Sequence, residues 1–352
     1  MSSININIDQ QPINYTVEIG ENILSNTFNL INHDKVDSHI IIYDTEINFS
    51  KIDDVIKSFP DFKKPHLISI NLSKENKSFD GFNYIKDTLI KYNCDKSTTL
   101  IAIGGGSIGD LVGFVASTFY RGIDYIQIPS TLLSMIDSSI GGKTAIDTGE
   151  GKNLIGSYHH PKMVILDPSI LSHINKTEIN SALFEAIKYG LAIDSSLFEY
   201  LSNNISDLKN MVNLTALIKK CCQIKINIIE KDERDNNERQ KLNFGHTIGH
   251  AIETIYNLKH GESVGYGMIA ACYMSKLMGT LSTSSYNQSI SLIQKLTLPK
   301  IKPDNNLIIE QIKRDKKRLS GKNNFILLNE IGNSYISNDI NDDIINNSIS
   351  IL

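Results

Sequence analysis

The chain has 352 residues, of which 41% are hydrophobic and 21% are charged, and its formal net charge at pH 7 is -4. These values are ordinary for a globular protein long enough for two domains, and the charge argues against nucleic-acid binding. No apolar run is long enough for a membrane span, the N-terminus has no signal-peptide pattern and the four cysteines match no disulfide framework, so we expect a cytoplasmic protein without a membrane partner.

The first half of the chain alternates short β-branched runs with helical stretches. Strands are predicted at 39–43, 66–70, 99–103, 125–128 and 163–166, and helices at 82–92 and 111–116. Alternating strands and helices indicate βαβ units and a parallel sheet. We therefore expect residues 1–170 to form an α/β dinucleotide-binding domain.

The pattern changes near Pro168, after which apolar residues recur at steps of three and four and predict helices. These helices are predicted at 179–191, 208–230, 242–255 and 264–277, with a short strand at 325–328. The polar run at 230–238 is expected to be a solvated loop. We therefore expect residues 171–352 to form a mainly α-helical domain.

A glycine-rich segment connects the strand at 99–103 to the helix at 111–116. Gly104, Gly106 and Gly109 have the G-x-G-x-x-G spacing, in which glycines let the backbone approach a pyrophosphate at a helix N-terminus. The same spacing is also compatible with a strand-to-helix turn that binds nothing. The strand–turn–helix context favours a dinucleotide, with Asp44 at the end of an earlier strand as acceptor for a ribose hydroxyl.

Candidate metal ligands lie in three segments of the second half, Glu185–Gly190, Asn243–His250 and His260–Glu262. Catalytic zinc takes three His, Glu or Asp ligands and leaves one position open. His246 and His250 are one helical turn apart on the same face, so by spacing alone both are candidate ligands. The segment lacks the glutamate of the H-E-x-x-H motif, which excludes a metalloprotease of that class.

Basic and amide side chains accompany the apolar patterns. Arginine binds carboxylates and phosphates through two parallel hydrogen bonds, and lysine binds them as a point charge, so such a set suits a small anionic substrate. Lys188 follows Glu185 by three residues on one helix face, where a simple surface ion pair is the alternative. The other members of the set are Arg121, Lys143, Lys152, Lys225, Arg239 and Asn243.

Seven segments resemble the signature segments of the 3-dehydroquinate synthase family, in order and at the expected separations. The resemblance implies a homodimer of two-domain subunits, an active site in the interdomain cleft, and NAD and one zinc ion as cofactors, with cobalt able to replace zinc. The segments are Phe119–Ile123, Pro129–Thr144, Gly151–Gly156, Glu185–Gly190, Leu242–Glu253, His260–Glu262 and Asp315–Lys317.

The resemblance also implies roles for individual residues. The implied zinc ligands are Glu185, His246 and His260, which makes His250 a catalytic residue rather than a ligand. The other implied catalytic residues are Lys188, Lys143 and Asp137. The implied substrate contacts are Arg121, Asn153, Lys225, Arg239, Asn243 and one of Lys316 and Lys317. The implied NAD contacts are Asp44, Lys77, Gly104, Gly105, Gly106, Asp110, Ser130, Thr131, Lys152 and Glu178.

The chain departs from the family pattern at a few positions. Lys74 stands where the family has a glutamate near the adenosine, which affects the expected ribose and adenine contacts. Ala182 replaces a glycine before the implied zinc glutamate, and Ser172-His173-Ile174 replaces Thr-Leu-Pro. Neither of the last two changes removes a residue to which the resemblance assigns chemistry.

The implied reaction converts 3-deoxy-D-arabino-heptulosonate 7-phosphate to 3-dehydroquinate and phosphate in the shikimate pathway. It proceeds by transient oxidation by NAD, phosphate elimination, re-reduction and intramolecular aldol closure, so NAD is not consumed. The alternatives are an NAD-dependent polyol or iron-type alcohol dehydrogenase, another sugar-phosphate cyclase, and a binding protein without turnover. A substrate with a carboxylate at one end and a phosphate at the other suits the set Lys225, Arg239 and Asn243. This set therefore favours the conversion of the heptulosonate phosphate to 3-dehydroquinate.

Overall fold

The structure is a computed structural model that describes residues 12–31, 38–72, 77–173, 175–208, 210–318 and 324–352, without the side chains of residues 173, 176 and 315–318. The chain forms two compact units. The α/β unit comprises the residues up to Ile19, Ile23–Ile128 and Gly142–Leu166. The helical unit comprises Gly20–Asn22, Pro129–Gly141 and Asp167–Leu352. The predicted fold class, a parallel α/β domain followed by a mainly helical one, is confirmed.

The described strands of the α/β unit are β1 (Thr16–Ile19), β2 (Ser38–Asp44), β3 (His66–Ile70), β4 (Thr98–Gly104), β5 (Tyr125–Pro129), β6 (Lys143–Thr148), β7 (Gly151–Tyr158) and β8 (Met163–Leu166). All of them except β6 and β7 form a six-stranded sheet, in the order β1-β8-β5-β4-β2-β3. The pairs β1–β8, β5–β8, β2–β4 and β2–β3 are parallel, and Ile42 lies opposite Ala102. The five strands predicted for the first half of the chain are all present in this sheet, and β1 is an additional one.

The helices of the α/β unit are α1 (Thr27–Leu30), α2 (Phe49–Ser58), α3 (Phe79–Lys91) and α4 (Gly106–Thr118). Helix α4 begins directly after β4, five residues earlier than its apolar pattern predicts. A Cβ atom at Gly104 would lie 2.6 Å from the side chain of Ile108, so the strand can turn into the helix this tightly only with glycine there. Because β2 and β4 are parallel neighbours, Asp44 and Gly104 lie at the same edge of the sheet.

Strands β6 and β7 form a separate antiparallel hairpin in the α/β unit, which the sequence pattern does not predict. Its outer strand, β7, is exposed from Lys152 to Gly156, including Leu154 at 59%. The hairpin therefore presents Lys143, Lys152 and Asn153, all predicted site residues, as exposed side chains, whereas Thr144–Ile146 of β6 are buried.

The helical unit contains most of the second half of the chain. The predicted helices at 179–191, 208–230 and 264–277 and the strand at 325–328 are confirmed, with shifted ends. The helices are α5 (Lys176–Ala192), α6 (Ser195–Asn204), α7 (Met211–Ile229), α8 (His246–Tyr256), α9 (His260–Leu277), α10 (Thr283–Ile293), α11 (Asn305–Arg318) and α12 (Asp342–Ile349), and β9 (Phe325–Glu330) pairs antiparallel with β10 (Asn333–Ser337).

The helix predicted at 242–255 is two elements. Residues Glu238–Asn243 form a 3-10 helix, and α8 begins only at His246. Gly245, between them, has φ +80°, a left-handed conformation that breaks the helix and that glycine adopts without strain. The break places Asn243 and His246 on different elements.

Glycines allow α9 to approach both α8 and α5 closely. A Cβ atom at Gly267 would lie 1.8 Å from the carbonyl oxygen of Gly245, and one at Gly261 would lie 1.8 Å from that of Ser181. Neither separation is sterically possible, so any larger residue would push the helices apart. This packing brings Glu185 on α5, His246 on α8 and His260 on α9 into one cluster.

The segment Pro129–Gly141 packs with the helical unit, although it lies in the range expected for the first domain. The Cys222 thiol donates to the carbonyl oxygen of Met135 at 3.4 Å, and the Arg239 guanidinium donates to that of Gly141 at 3.3 Å. These contacts fix the segment, which carries Asp137, against α7 and the 3-10 helix.

In the described part of the chain, no helix has both the length and the apolar character to span a bilayer.

Candidate active site

The centre of the candidate site is the carboxylate of Glu185, which is fully buried on α5. Lys188, one turn later and 2% exposed, forms an ion pair with it. The alternative of a simple surface ion pair is therefore wrong, because this pair is buried. Neither Glu185 oxygen accepts a well-aligned hydrogen bond from the described residues, so the carboxylate retains lone pairs for another electrophile.

Two imidazoles face the same carboxylate oxygen. Nε2 of His246 lies 3.8 Å from Oε1 of Glu185, and Nε2 of His260 lies 3.4 Å from it. A third imidazole, that of the exposed His250, is close to both, and one ring nitrogen from each of the three histidines lies within 4.8 Å of the others.

The second ring nitrogen of His246 and that of His260, both partly buried, each have an acceptor that fixes the tautomer. Nδ1 of His246 lies 3.2 Å from the carbonyl oxygen of Phe244, and Nδ1 of His260 lies 2.9 Å from a carboxylate oxygen of Glu253. Because these oxygens accept hydrogen bonds, each Nδ1 carries the proton and donates it. Each Nε2 is then directed at Glu185 as a potential metal ligand.

The charges of the cluster follow from burial and from the neighbouring groups. Burial, reinforced by the Lys188 ammonium, lowers the pKa of His246 to about 3, so this ring is neutral, as a ligand must be. Burial opposes protonation of His260, but the carboxylates of Glu185 and Glu253 raise its pKa to about 9, so a metal that binds its Nε2 would displace a proton. Burial would raise the pKa of Glu185, yet Lys188 and the two histidines hold it below its usual range.

This donor set fits a divalent metal such as zinc, which binds imidazole nitrogen and carboxylate oxygen in a tetrahedral site with one open position. The geometry accommodates Glu185 with His246 and His260, and it also accommodates the three histidines. The choice of third ligand, Glu185 or His250, therefore stays a prediction.

A second charge pair joins the buried Lys225 on α7 to the partly buried Asp137, which lies on the π-helical turn Ser134–Ser138. The Lys225 ammonium donates to both the side chain and the backbone carbonyl of Asp137, and it is 5% exposed. The hydroxyl of Tyr189 donates to the same carboxylate oxygen at 2.7 Å. Burial opposes ionisation of Asp137, but Lys225 and Lys188 hold its pKa well below its usual range.

Arg239 is buried at 3% exposure, and its guanidinium donates to the carbonyl oxygens of Gly141 and Glu233. Its position depends on Asp232, whose carboxylate accepts the backbone N–H groups of Asn236 at 3.0 Å, Asn237 at 2.7 Å and Arg239 at 3.0 Å. The run at 230–238, expected to be a solvated loop, is thus folded around one acidic side chain.

The candidate NAD site belongs to the α/β unit. Gly105 caps α4 without a side-chain hydrogen bond, so the N–H groups of the first turn can bind an anion. Asp44 ends the neighbouring strand β2 at the same edge of the sheet. A ligand binds at this carboxyl edge in open parallel sheets, so the predicted turn fits a dinucleotide.

Three predicted site residues of the α/β unit form one network. The Lys77 ammonium donates to Asp110 at 2.9 Å and also to the side chain of Asn153. Asn153 has φ +56°, and its backbone N–H donates to Asp147 at 2.8 Å. The network connects residues predicted to contact NAD, Lys77 and Asp110, with one predicted to contact substrate, Asn153.

The remaining predicted residues are distributed over both units. Arg121, Lys143 and Lys152 are exposed in the α/β unit, and Asn243 and Glu178 are exposed in the helical unit. Ser130, buried, and Thr131, partly buried, also lie in the helical unit. Lys316 and Lys317 lie on α11, but their side chains are outside the described residues.

Sequence reasoning missed three residues that support the site, which are Tyr189, Asp232 and Glu253. Tyr189 lies within the family-like segment Glu185–Gly190, and Glu253 is the last residue of the segment Leu242–Glu253. No periodicity distinguishes a buried polar residue that contacts a site from one that does not. Asp232 was within a charged run that is typical of solvated loops.

Two family models match most of the chain. One, described as 3-dehydroquinate synthase N-terminal, matches residues 67–181, and the other, described as 3-dehydroquinate synthase C-terminal, matches residues 182–318. The 3-dehydroquinate synthase of Clostridium perfringens (strain 13 / Type A) is 44% identical over 279 residues, which are 77% of this chain and 79% of that protein. The 3-dehydroquinate synthase of Shewanella pealeana (strain ATCC 700345 / ANG-SQ1) is 36% identical over 344 residues, 96% of each chain.

Solved structures of two cyclases have the same fold. The 2-epi-5-epi-valiolone synthase of Streptomyces hygroscopicus subsp. jinggangensis 5008, with NAD+ and Zn2+ bound, has a TM-score of 0.88 at 22% identity over 98% of each chain. A 2-deoxy-scyllo-inosose synthase complexed with carbaglucose-6-phosphate, NAD+ and Co2+ has a TM-score of 0.86 at 25% identity over 95% of each chain.

The Asp232 carboxylate makes a testable contribution to stability. Burial would raise its pKa, but the three backbone N–H groups hold the pKa below its usual range, so its stabilisation is present above the unfolded-state pKa of about 4 and is lost as pH falls through the folded-state pKa. We expect Asp232→Asn to lower the free energy of unfolding in urea by about 1–3 kcal/mol at pH 7. The difference from the unsubstituted protein should shrink below about pH 4.

Glu230→Gln, a change to an exposed acid at the start of the same loop, is the matched control and should have little effect at either pH. A destabilisation by Asp232→Asn that stays constant from pH 7 to pH 3 would show that the charge of Asp232 is not what orders the loop.

Proposed function

The chain belongs to the 3-dehydroquinate synthase family, and from this premise we propose that it converts 3-deoxy-D-arabino-heptulosonate 7-phosphate to 3-dehydroquinate and phosphate as a cytoplasmic homodimer. The enzyme is a phosphate-eliminating carbon–oxygen lyase that uses NAD and one divalent metal ion, zinc. Relatives named 3-dehydroquinate synthase cover up to 98% of the chain.

The observation that carries the proposal is the cluster of buried charges in the helical unit. Glu185, His246 and His260 present ligand atoms to one point, and Lys188 is paired with the same carboxylate. A metal site beside a buried ammonium group suits a substrate that combines a hydroxyl to be polarised with an anionic group to be held.

When bound, zinc supplies Lewis-acid polarisation of a substrate hydroxyl, and NAD supplies reversible hydride acceptance. The chain's own residues hold the zinc and the NAD, orient the substrate and transfer protons. We assign metal binding to Glu185, His246 and His260. The two histidines donate hydrogen bonds from their Nδ1 atoms, which keeps their Nε2 atoms directed at the site.

The cationic side chains of the helical unit would bind the anionic ends of the substrate. Lys188, Lys225 and Arg239 are all buried, so their charges act with little screening by water. Lys225 and Arg239 already bind oxygen atoms of the segment that contains Asp137 and Gly141. A substrate carboxylate or phosphate would exchange with these oxygens, and Asn243 would add a neutral hydrogen bond.

Proton transfer is assigned to His250, which is exposed on α8 one turn after His246. Its ring is 5.1 Å from that of His246 and 5.8 Å from that of His260, measured between centroids. An accessible imidazole at this position can accept a proton from the substrate or donate one to it. Lys143 and Asp137 are proposed to assist in the same step.

The proposed NAD contacts of the α/β unit are the α4 N-terminus with Gly104, Gly105 and Gly106, together with Asp44, Lys77, Asp110 and Lys152. Two observations support this assignment. No side chain caps the first turn of α4, and Asp44 lies at the same edge of the sheet as Gly104. Ser130, Thr131 and Glu178 of the helical unit are proposed to complete the NAD site. Lys316 or Lys317 is proposed to complete the substrate site.

Another sugar-phosphate cyclase is the second candidate, because a 2-deoxy-scyllo-inosose synthase complexed with a sugar-phosphate analogue is 25% identical over 95% of this chain. The curated relatives at 36–44% identity favour 3-dehydroquinate synthase. A polyol dehydrogenase is a weaker candidate, since simple polyols give no role to Lys188, Lys225 and Arg239.

Arg121 is the residue through which we propose that two subunits share a site. It is exposed, and it lies in a strained turn in which Tyr120 has φ +47° and Arg121 has φ +63°. Two successive non-glycine residues in the left-handed region cost free energy that is usually retained only for function. The turn would direct Arg121 to the phosphate bound by the partner subunit.

Phosphate release from the heptulosonate phosphate should require NAD without consuming it, because the hydride returns to the substrate. Phosphate and NADH are measured in the same reaction, with zinc added and NAD far below the substrate concentration. Many turnovers per NAD with no accumulated NADH are expected. NADH that accumulates in proportion to product would establish a dehydrogenase instead.

Replacing a metal ligand and replacing a proton carrier should have different effects. His260→Ala should lose both bound zinc and activity, whereas His250→Ala should keep its zinc and lose activity by about 10²–10⁴-fold. Zinc content is measured by elemental analysis of the purified variants. The control is His66→Ala, an exposed histidine in the α/β unit. A His250→Ala variant without zinc would make His250 the third ligand, which the observed geometry permits.

The shared site can be tested by complementation. Arg121→Ala and Lys188→Ala should each be nearly inactive as homodimers. In a co-expressed heterodimer, the Arg121→Ala subunit keeps its own Lys188 and receives Arg121 from its partner, so one site in two should work. Heterodimers that are confirmed by tandem affinity tags yet recover no activity would show that Arg121 acts within its own subunit.

A further inference from the structure

Among the described residues of the helical unit, one side chain contacts two charge pairs whose lysines are both buried. Lys188 is paired with Glu185 within α5, and Lys225 of α7 is paired with Asp137 on the π-helical turn. Tyr189 follows Lys188 along α5 and is 0% exposed. Neither metal binding nor substrate binding, as proposed above, assigns it a role.

The hydroxyl group of Tyr189 and its ring contact different pairs. The hydroxyl donates to Oδ1 of Asp137 at 2.7 Å. The Lys188 ammonium lies 5.0 Å from the centroid of the Tyr189 ring, within the range of a cation–π interaction. One rigid aromatic side chain therefore connects the cation beside the metal ligands to the anion that holds Lys225.

The geometry of Asp137 depends on this hydroxyl. Its Oδ1 atom accepts from both Tyr189 and Lys225, which come from two different helices. Two donors on one oxygen restrict the rotation of the carboxylate. Lys225 alone would not restrict it, because the flexible lysine side chain could move together with the rotating carboxylate. Burial raises the pKa of the Tyr189 phenol well above its usual value, and Asp137 raises it further, so the phenol stays protonated and remains a donor.

This inference rests on the proposed function. We propose that Tyr189 is a positioning residue that sets the spacing between the Lys188 and Lys225 ammonium groups, through its ring on one side and through Asp137 on the other. A substrate with anionic groups at two ends requires two cations at a defined separation. Small displacements of such groups cost large factors in rate.

A tyrosine that merely fills the core would behave differently. Removing its hydroxyl would leave Asp137 with one donor fewer and lower the stability, but would leave substrate affinity and turnover unchanged. Tyr266 provides the comparison within the same unit, because it is also buried, at 7% exposure, and its hydroxyl donates to the backbone oxygen of Pro299. Tyr266→Phe removes a similar hydrogen bond away from the charge pairs.

The experiment compares Tyr189→Phe with Tyr266→Phe in the zinc-loaded full-length protein. Zinc content, thermal midpoint, kcat, KM, and the Kd of the heptulosonate phosphate by calorimetry without NAD are measured for each. We expect Tyr189→Phe to retain zinc and to lose kcat/KM by about tenfold or more, since one hydrogen bond to a charged group is lost. Its Kd should rise, while its thermal midpoint changes no more than that of Tyr266→Phe.

A double-mutant cycle with Asp137→Asn tests the route of the effect. If Tyr189 acts through Asp137, Tyr189→Phe should change kcat/KM much less in the Asp137→Asn background than in the unsubstituted protein. Tyr189→Leu, which also removes the ring from Lys188, should lose more than Tyr189→Phe in both backgrounds.

Full kcat/KM and unchanged Kd in Tyr189→Phe would overturn the inference, as would equal losses in the presence and absence of the Asp137 carboxylate. Loss of zinc in Tyr189→Phe would also overturn it, because the residue would then support the metal site. An unsubstituted protein that neither binds the heptulosonate phosphate nor releases phosphate would refute the proposed function itself, and this failure is visible before any variant is compared.

Discussion

The site depends on one costly feature, a carboxylate buried completely within the helical unit. An ionised Glu185 could not stay in an apolar interior unless other charges and donors compensated for the loss of water. Lys188 supplies a positive charge from the next turn of the same helix, and His246 and His260 bring polar nitrogen atoms from two others. The same requirement explains why these residues are adequate metal ligands, since a divalent cation is the strongest compensation available to such a carboxylate.

Close helix packing is what makes that compensation geometrically possible. Gly245, Gly261 and Gly267 allow α9 to contact α8 and α5 through the backbone, where larger residues would hold the helices apart. The lost conformational freedom of glycine in helices is a known destabilising contribution, so the presence of Gly261 and Gly267 within α9 indicates that proximity has been favoured over helix stability. Contacts on α7 and the 3-10 helix act independently of these glycines: Lys225, Cys222 and Arg239 hold the segment Pro129–Gly141, which places the anionic Asp137 beside the cations.

Much of the fold could be predicted from the sequence, because periodicity reports local burial. The five predicted strands and the helices at 179–191, 208–230 and 264–277 are present because each has a long, regular apolar pattern. The antiparallel hairpin of β6 and β7 was not predicted, since its outer strand is exposed from Lys152 to Gly156 and lacks an alternating pattern. The helix expected at 242–255 is interrupted because Gly245 adopts φ +80°, a choice that depends on its contact with α9.

For the site, the sequence by itself determined which residue types were available. Through the family resemblance it also indicated the candidate metal ligands Glu185, His246 and His260, and it placed Lys188 one helical turn after the glutamate. It could not determine that the Glu185–Lys188 pair is buried, that Glu253 orients His260, or that Tyr189 connects two charge pairs. Those facts depend on distances between segments as far apart in the chain as Asp137 and Lys225. Only the tertiary structure decides them, because burial and the separation of charges are properties of packed surfaces and not of spacing along the chain.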